Sequence, residues 1–160
     1  MTEVINGRMT AEVEGDFVVF LLGMRINKPW KLHKWIPVAR AMSPMIRELN
    51  SRRELGLMGF HSWIGSSGTM LVQYWRSMEA LESYAKDAQL QHRPAWRRFY
   101  KVVGMNGDVG IWHETYAVRD GGFEAIYGNM PQFGLAEAGK HVPLTAKTRY
   151  AADRRAANTH

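Results

Sequence analysis

The order of strand-like and helix-like segments along the chain predicts an α+β fold, a ferredoxin-like βαββαβ domain. Four segments have strand character: residues 16–26, 56–64, 69–75 and 108–118. One helix-like segment lies between the first and second strands, and another between the third and fourth. All four strand segments carry large apolar side chains at both alternating positions. Such strands are typical of a sheet that is buried on both faces.

The first half of the domain contains one strand and one helix. Residues 16–26 read DFVVFLLGMRI, an apolar run of strand length. Helical spacing follows at Trp35, Val38, Met42, Met45 and Leu49. Pro44 falls inside this pattern and predicts a kink or a split, because proline lacks the N–H that a helix interior needs.

The second half begins with a predicted β-hairpin. Residues 56–64 and 69–75 flank a Gly-Ser-Ser-Gly turn at 65–68. Ser77 is the predicted N-cap of the second helix. Pro94 suits the first turn of a new helical stretch, so the second helix should be broken before the fourth strand.

Composition suggests one folded domain over residues 14–135, after a flexible N-terminus of residues 1–13. Residues 136–160 should form a C-terminal extension. Its last fourteen residues hold Lys147, Arg149, Arg154 and Arg155 against Asp153 alone, which gives +3 of the net charge of +6. A charged segment with few apolar residues predicts a partly disordered tail.

A sheet that is apolar on both faces needs two covers, and the two helices supply one of them. Stacking of the second face on a second copy of the chain predicts a homodimer. The alternative is that residues 119–160, which are apolar but have no clear period, cover this face within one chain.

Several classes of function are not supported. The chain has no cysteine, which excludes disulfides and thiolate metal sites. It shows no long apolar run and an N-terminus too acidic for a signal peptide, so we expect a cytoplasmic protein without a membrane partner. Basic residues are mixed with acidic ones, which argues against nucleic acid. Motifs for dinucleotides or P-loop phosphates are missing.

Three histidines are candidates for polar chemistry. His61 shares strand parity with Leu57 and Trp63, where it would be either a hydrogen-bonded core residue or a catalytic one. His113 shares parity with Val109 and Ile111. If His113 faces the helices, it and His92, near the break at Pro94, would flank a ligand held between helix and sheet. Two purely structural histidines are the alternative.

Four segments, QYWRSMEALESYAKD, HRPAWRRF, GDVGIWHETYAV and YGNMPQFGL, resemble the monooxygenase family typified by the fumagillin-pathway enzyme. This family is of the antibiotic-biosynthesis-monooxygenase type, a dimeric α/β barrel, and the resemblance extends from about residue 14 to 135. It implies oxygenation of a small hydrophobic metabolite. We expect His113 and His61 to be the catalytic residues. The apolar substrate pocket should be lined by Phe20, Met24, Phe60, Tyr74, Trp96, Phe99 and Ile111.

A weaker resemblance connects the chain to the haem-containing aldoxime dehydratases. It implies that His92 is the proximal ligand of a haem iron and His113 the distal acid–base. This chain is about half as long as those enzymes, and Arg93-Pro94 directly follows the predicted ligand. A haem-dependent lyase is therefore one alternative. A non-catalytic barrel that binds a small molecule or haem is another, since ten Met and six Trp also suit a binding pocket.

Overall fold

The computed structural model describes residues 3–87, 89–90, 97, 99–101, 103–104 and 106–159. Its strands and helices, in chain order, are β1 Ile5–Glu12, β2 Phe17–Ile26, α1 Leu32–Ser51, β3 Leu57–Gly65, β4 Gly68–Trp75, α2 Met78–Lys86, β5 Val109–Val118, β6 Tyr127–Met130, α3 Leu135–Ala138, β7 Lys140–Pro143 and α4 Ala151–Ala157. No helix in this part of the chain is both long and apolar enough to cross a membrane.

The main sheet contains the four strands that the sequence predicts, each bounded within one residue of its predicted ends. Their order is β3-β4-β2-β5, and all neighbours are antiparallel. With α1 between β2 and β3, and α2 between β4 and β5, this is the ferredoxin-like βαββαβ arrangement. The predicted fold class is confirmed.

One face of the main sheet packs against the helices, and we call it the helix face. Alternate residues of β2, from Val18 to Met24, lie on it. Val18 belongs to a buried cluster with Leu49 of α1 and Leu81 of α2. Met24 belongs to a second cluster, in which Trp35 of α1 is a neighbour. The helix face therefore has two apolar clusters, one toward each end of β2.

The helices differ from their predicted form in one respect. α1 is a single helix with Pro44 inside it, so of the kink or split that the sequence predicts, the split does not occur. Burial of Leu49, beyond the proline, helps to offset the lost hydrogen bond. The Ser77 hydroxyl accepts a hydrogen bond from the Ala80 N–H at 3.2 Å, which confirms the predicted cap. α2 ends where Asp87 adopts an extended backbone, and residues 99–101 are helical again, which confirms a broken second helix. Pro94 lies outside the described residues.

The opposite face of the main sheet, which we call the outer face, is partly covered by a second sheet. This small sheet has the order β6-β1-β7 and is antiparallel throughout. Ala11 of β1 and Leu135 of α3 pack on Phe17 in a third buried cluster. Residues 5–12 are thus a strand where a flexible N-terminus was expected. The alternative that residues 119–160 cover this face holds in part for the half near Phe17, because β1 lies in the cover between β6 and β7.

The C-terminal segment is also more ordered than its composition suggests. α4 carries Arg154, whose side chain is only 6% exposed and contacts the Glu124 carboxylate through Nη2 at 2.6 Å. Its guanidinium also donates to the carbonyls of Thr148 and Arg149. A buried ion pair with further hydrogen bonds fixes this helix on the domain. The expected partly disordered tail is therefore a helix over residues 151–157.

The other half of the outer face carries exposed apolar side chains. Trp63, Met70 and Trp112 are exposed, and the strand register places them in one row with Gly23. A Cβ on Gly23 would lie 2.6 Å from Trp112 Nε1, so glycine permits the indole to lie across the sheet. This row, which we call the aromatic row, is the part of the outer face that the small sheet leaves open.

Candidate functional site

His113 lies on the helix face, because its partner across the ladder is Leu22. Its ring is 5.6 Å from that of Phe20. Leu71, Leu22 and His113 form one row across the sheet, in which Leu71 is buried, Leu22 half-buried and His113 exposed. Thr115, the next residue of β5 on this face, is also exposed. The row lies between the two helix-face clusters and becomes accessible toward β5. We call this place the helix-face recess.

The predicted pocket residues do not form one group. Phe20 and Phe60 pack against the cluster that contains Val18. Phe99 packs against the cluster that contains Met24, and Ile111 lies opposite Met24 across the β2–β5 ladder. Tyr74 is on the outer face, since it pairs with Val19 and joins the third cluster. Trp96 and the predicted haem ligand His92 lie outside the described residues.

His61 is on the outer face, opposite the face that carries Leu57 and His113. Leu57 pairs with Trp75, but Gly59 pairs with Tyr74, so Met58 is an extra residue in β3. Such a β-bulge changes the alternation of the strand. The shared parity of His61 and Leu57 is therefore wrong, whereas that of His61 and Trp63 is correct. The two predicted catalytic histidines are not brought together.

The His61 imidazole is enclosed by aromatic rings and a carboxylate. Its ring centroid is 3.6 Å from that of Phe133 and 5.3 Å from that of Trp63. Its Nδ1 is buried, 3.4 Å from Glu137 Oε2, and makes no hydrogen bond with a described residue. A carboxylate at this nitrogen would orient the imidazole and leave the rest of the ring toward a ligand.

A cleft of about 490 Å³ opens beside His61 along β3, the edge strand of the main sheet. We call it the β3 cleft. Its volume is within the usual range of small-molecule sites. It is lined by Asn50, Arg53, Met58, Gly59, Phe60, His61, Ser62, Gln132 and Glu137. Ala138 of α3 lies 3.2 Å from where a Cβ on Gly59 would be, so α3 packs closely on this strand.

Two tyrosine hydroxyls lie beneath α3. Burial raises the pKa of Tyr74 to about 12, and the neighbouring Tyr127 and Glu137 add to the shift. Burial also raises the pKa of Tyr127, whose hydroxyl accepts a hydrogen bond from the Ala136 N–H at 3.3 Å. Both phenols therefore stay protonated near neutral pH.

The Tyr-Gly-Asn-Met-Pro sequence of residues 127–131 belongs to one of the four segments that carry the resemblance, and it has a structural role. Tyr127 binds the first turn of α3, as described above. Asn129 has a left-handed backbone, with φ of 52°. Its side-chain oxygen accepts a hydrogen bond from the Gly7 N–H at 2.9 Å, at the irregularity in the β1–β6 ladder. The segment thus fixes the small sheet and α3 against each other.

Glu137 and Arg53 are the polar residues near His61 that the sequence analysis missed. Glu137 falls in the segment without a clear period, and Arg53 lies in a short 3₁₀ turn after α1. Only the long-range contact of α3 with β3 brings them to one cleft, so no local pattern indicates them. Among the described residues no group of three or more His, Cys, Asp or Glu is arranged to hold a metal ion.

Comparison with known proteins identifies the family. The model of the monooxygenase af470-like family matches residues 17–135. The chain belongs to this family. The resemblance found in the sequence is thereby confirmed.

Monooxygenase af470 of Aspergillus fumigatus is 32% identical to the chain over 151 residues, which covers 81% of this chain and 53% of that protein. The chain thus spans about half the length of this curated relative of the monooxygenase af470-like family.

Two solved structures match the chain at low sequence identity. Aldoxime dehydratase OxdRE, crystallised with butyraldoxime, matches with a TM-score of 0.66 and 12% identity, over 87% of this chain and 40% of that one. SnoaB, a cofactor-independent oxygenase of Streptomyces nogalater, matches with a TM-score of 0.47 and 8% identity, over 65% of this chain and 94% of that one. The first likeness indicates a common fold, and the second is too distant to support an argument.

Proposed function

We propose that the protein is a monooxygenase that acts on a small, hydrophobic, electron-rich molecule in the helix-face recess. Membership of the monooxygenase af470-like family supports the reaction class. The observation that supports the location is the exposed His113 on the helix face, opposite Leu22 and with its ring beside that of Phe20. Imidazole is the side chain that most often serves as a general acid or base in enzymes.

The proposed chemistry uses His113 as a general base. The imidazole takes a proton from an acidic C–H or O–H of the substrate, and the resulting anion gives one electron to O₂. Recombination forms a peroxide anion, which takes back the proton from His113 and becomes a hydroperoxide. The carbon that carries it then loses its second hydrogen as a proton while the O–O bond breaks. One oxygen stays in the product as a carbonyl, and the other leaves as hydroxide, which this second proton converts to water. Phe20 and Leu22 would keep bulk water from the reacting atoms. His61, on the outer face, has no step in this scheme.

Haem is the alternative cofactor. Its predicted proximal ligand, His92, lies outside the described residues, and no step above uses haem. Absorption spectra of the purified protein, with and without added haem, distinguish the two versions. A strong Soret band that His92→Ala abolishes would replace the cofactor-free scheme with a haem-dependent one.

The oxygenase proposal is tested by incubating the purified protein with a panel of hydroxylated aromatic compounds under ¹⁸O₂. We expect a product that contains one ¹⁸O atom. For that substrate, His113→Ala should lower turnover by about 10²–10⁴-fold, the usual contribution of a general base. His33→Ala is the matched control, because His33 is exposed at the start of α1. Unchanged turnover in His113→Ala refutes the role of His113. A ligand recovered unmodified would favour a non-catalytic binding barrel.

We also propose that the protein is a homodimer in which the aromatic row of each copy faces the other. A contiguous exposed row of two indoles and a methionine is unusual on a monomer surface. Trp112→Glu should weaken dimerisation at least about 30-fold, the effect of a hot-spot residue, as measured by analytical ultracentrifugation. Tyr150→Glu, an exposed aromatic near α4, serves as the control. A wild-type monomer, or an equal effect of both variants, contradicts this interface.

A further inference from the structure

We propose that the β3 cleft is a second ligand site, which binds the carboxylate of a small aromatic acid. It lies at the edge strand, whereas the helix-face recess opens over β5 at the other edge of the sheet. The site is therefore separate from that of the proposed oxygenation, and each can be tested without the other.

The positive charge in the cleft is the one open to a ligand. Arg53 and Glu137 are the charged residues among those that line it. Glu137 faces His61, with its Oε2 3.4 Å from Nδ1. Arg53 forms no ion pair with a described residue, and its guanidinium donates to a backbone carbonyl. The carboxylate of a ligand would complement it.

The guanidinium of Arg53 is held in position but has donors to spare. Its Nη1 donates to the Met58 carbonyl at 3.2 Å, and this carbonyl belongs to the strand that forms the cleft wall. Arginine has five N–H donors in a planar fork, so one such bond leaves others for a two-point contact with a carboxylate.

The remaining lining residues suit an organic acid better than a bare inorganic anion. Met58 and Phe60 provide apolar contacts for a ring. The Gln132 side-chain nitrogen donates to the Ala136 carbonyl at 2.7 Å, which leaves the second of its two N–H donors for a carboxylate oxygen. A cleft with one cation, one amide donor and an apolar wall matches a carboxylate attached to an aromatic ring.

Isothermal titration with benzoate tests the proposal on the full chain. We expect saturable binding that Arg53→Ala weakens at least about tenfold, the effect of removing a charge-assisted two-point contact. Arg52→Ala is a closely matched control. Arg52 is the adjacent arginine, is exposed, is paired with Glu54 at 3.1 Å, and does not line the cleft. Equal weakening by both variants would mean general electrostatic attraction and would overturn the site.

Two further arms separate the possible ligand chemistries. Benzylamine has the same ring with the opposite charge and should bind more weakly than benzoate, while Glu137→Gln should keep or tighten benzoate binding. Inorganic phosphate should bind more weakly than benzoate, because it lacks the ring. Tighter binding of phosphate or of benzylamine overturns the aromatic-acid assignment, and so does the absence of any benzoate binding. If Arg53→Ala proves unstable by its melting temperature, Arg53→Gln takes its place.

Discussion

Replacement of Leu49 by alanine should destabilise the protein strongly, because α1 carries this side chain past Pro44 into the core. Leu49 is 0% exposed and belongs to the same cluster as Val18 and Trp75. Three buried carbon groups at about 0.8 kcal/mol each account for about 2.4 kcal/mol. The substitution leaves a cavity beside Trp75, which is also 0% exposed and is fixed in the main sheet. Such a cavity should collapse only partly, which raises the expected loss to about 3–4 kcal/mol.

The assay is urea unfolding followed by circular dichroism, at one protein concentration because association would change the apparent stability. For a chain of this length the expected loss corresponds to a melting temperature lowered by about 10 °C. Leu32→Ala is the control, since Leu32 is 52% exposed at the start of the same helix and should cost no more than about 0.5 kcal/mol. A loss below about 1 kcal/mol for Leu49→Ala would show that the helix does not continue across Pro44 as described.

Three further predictions concern titratable groups. Hydrogen bonds from Lys28 and Lys31 lower the pKa of the Asp108 carboxyl, so its contribution to stability is present above the unfolded pKa and lost on acidification. As the pH is lowered from about 5 to about 1, the free energy of unfolding of Asp108→Asn, measured with urea, should fall less than that of the wild type. Tyr74→Phe should remove one ionisation near pH 12 from a spectrophotometric titration. If the titration curve stays the same, the burial of Tyr74 is contradicted. Both imidazole nitrogens of His141 are buried without a hydrogen-bond partner among the described residues, so His141→Leu should raise the melting temperature.

The main sheet could be predicted from sequence because its strands are long, apolar and separated by clear turn residues. The Gly-Ser-Ser-Gly turn fixes the hairpin, and Ser77 marks the start of α2. The small sheet could not be predicted in the same way. β1 reads INGRMTAE, which is largely polar, and β6 and β7 have only four residues each. These strands depend on pairing between the two ends of the chain, which no local pattern reports.

The candidate site shows the same division. The parity of β5 correctly predicts that His113 shares a sheet face with Val109 and Ile111, because β5 pairs with β2 without irregularity. The face of His61 could not, because one extra residue interrupts the alternation of β3. Glu137 was missed because α3 meets β3 through tertiary packing, such as that of Ala138 on Gly59, which no local pattern reports.

The bulge at Met58 therefore decides which residues of β3 belong to which face, and its removal is a direct test. The register from Gly59 onward is held by seven pairs with β4, from Gly59–Tyr74 to Gly65–Gly68. If Met58 is deleted, these pairs should persist, and Leu57, then next to Gly59, should stay opposite Trp75 on the helix face, since neighbouring residues of a strand face opposite sides. The deletion should therefore cost little more unfolding free energy than Met58→Ala, which shortens the same side chain and keeps the bulge. Urea unfolding of the two variants measures the difference. If the deletion instead turned the buried Leu57 to the outer face, it would cost about 1.5–3 kcal/mol more than Met58→Ala, and Met58 would not be the extra residue of the strand.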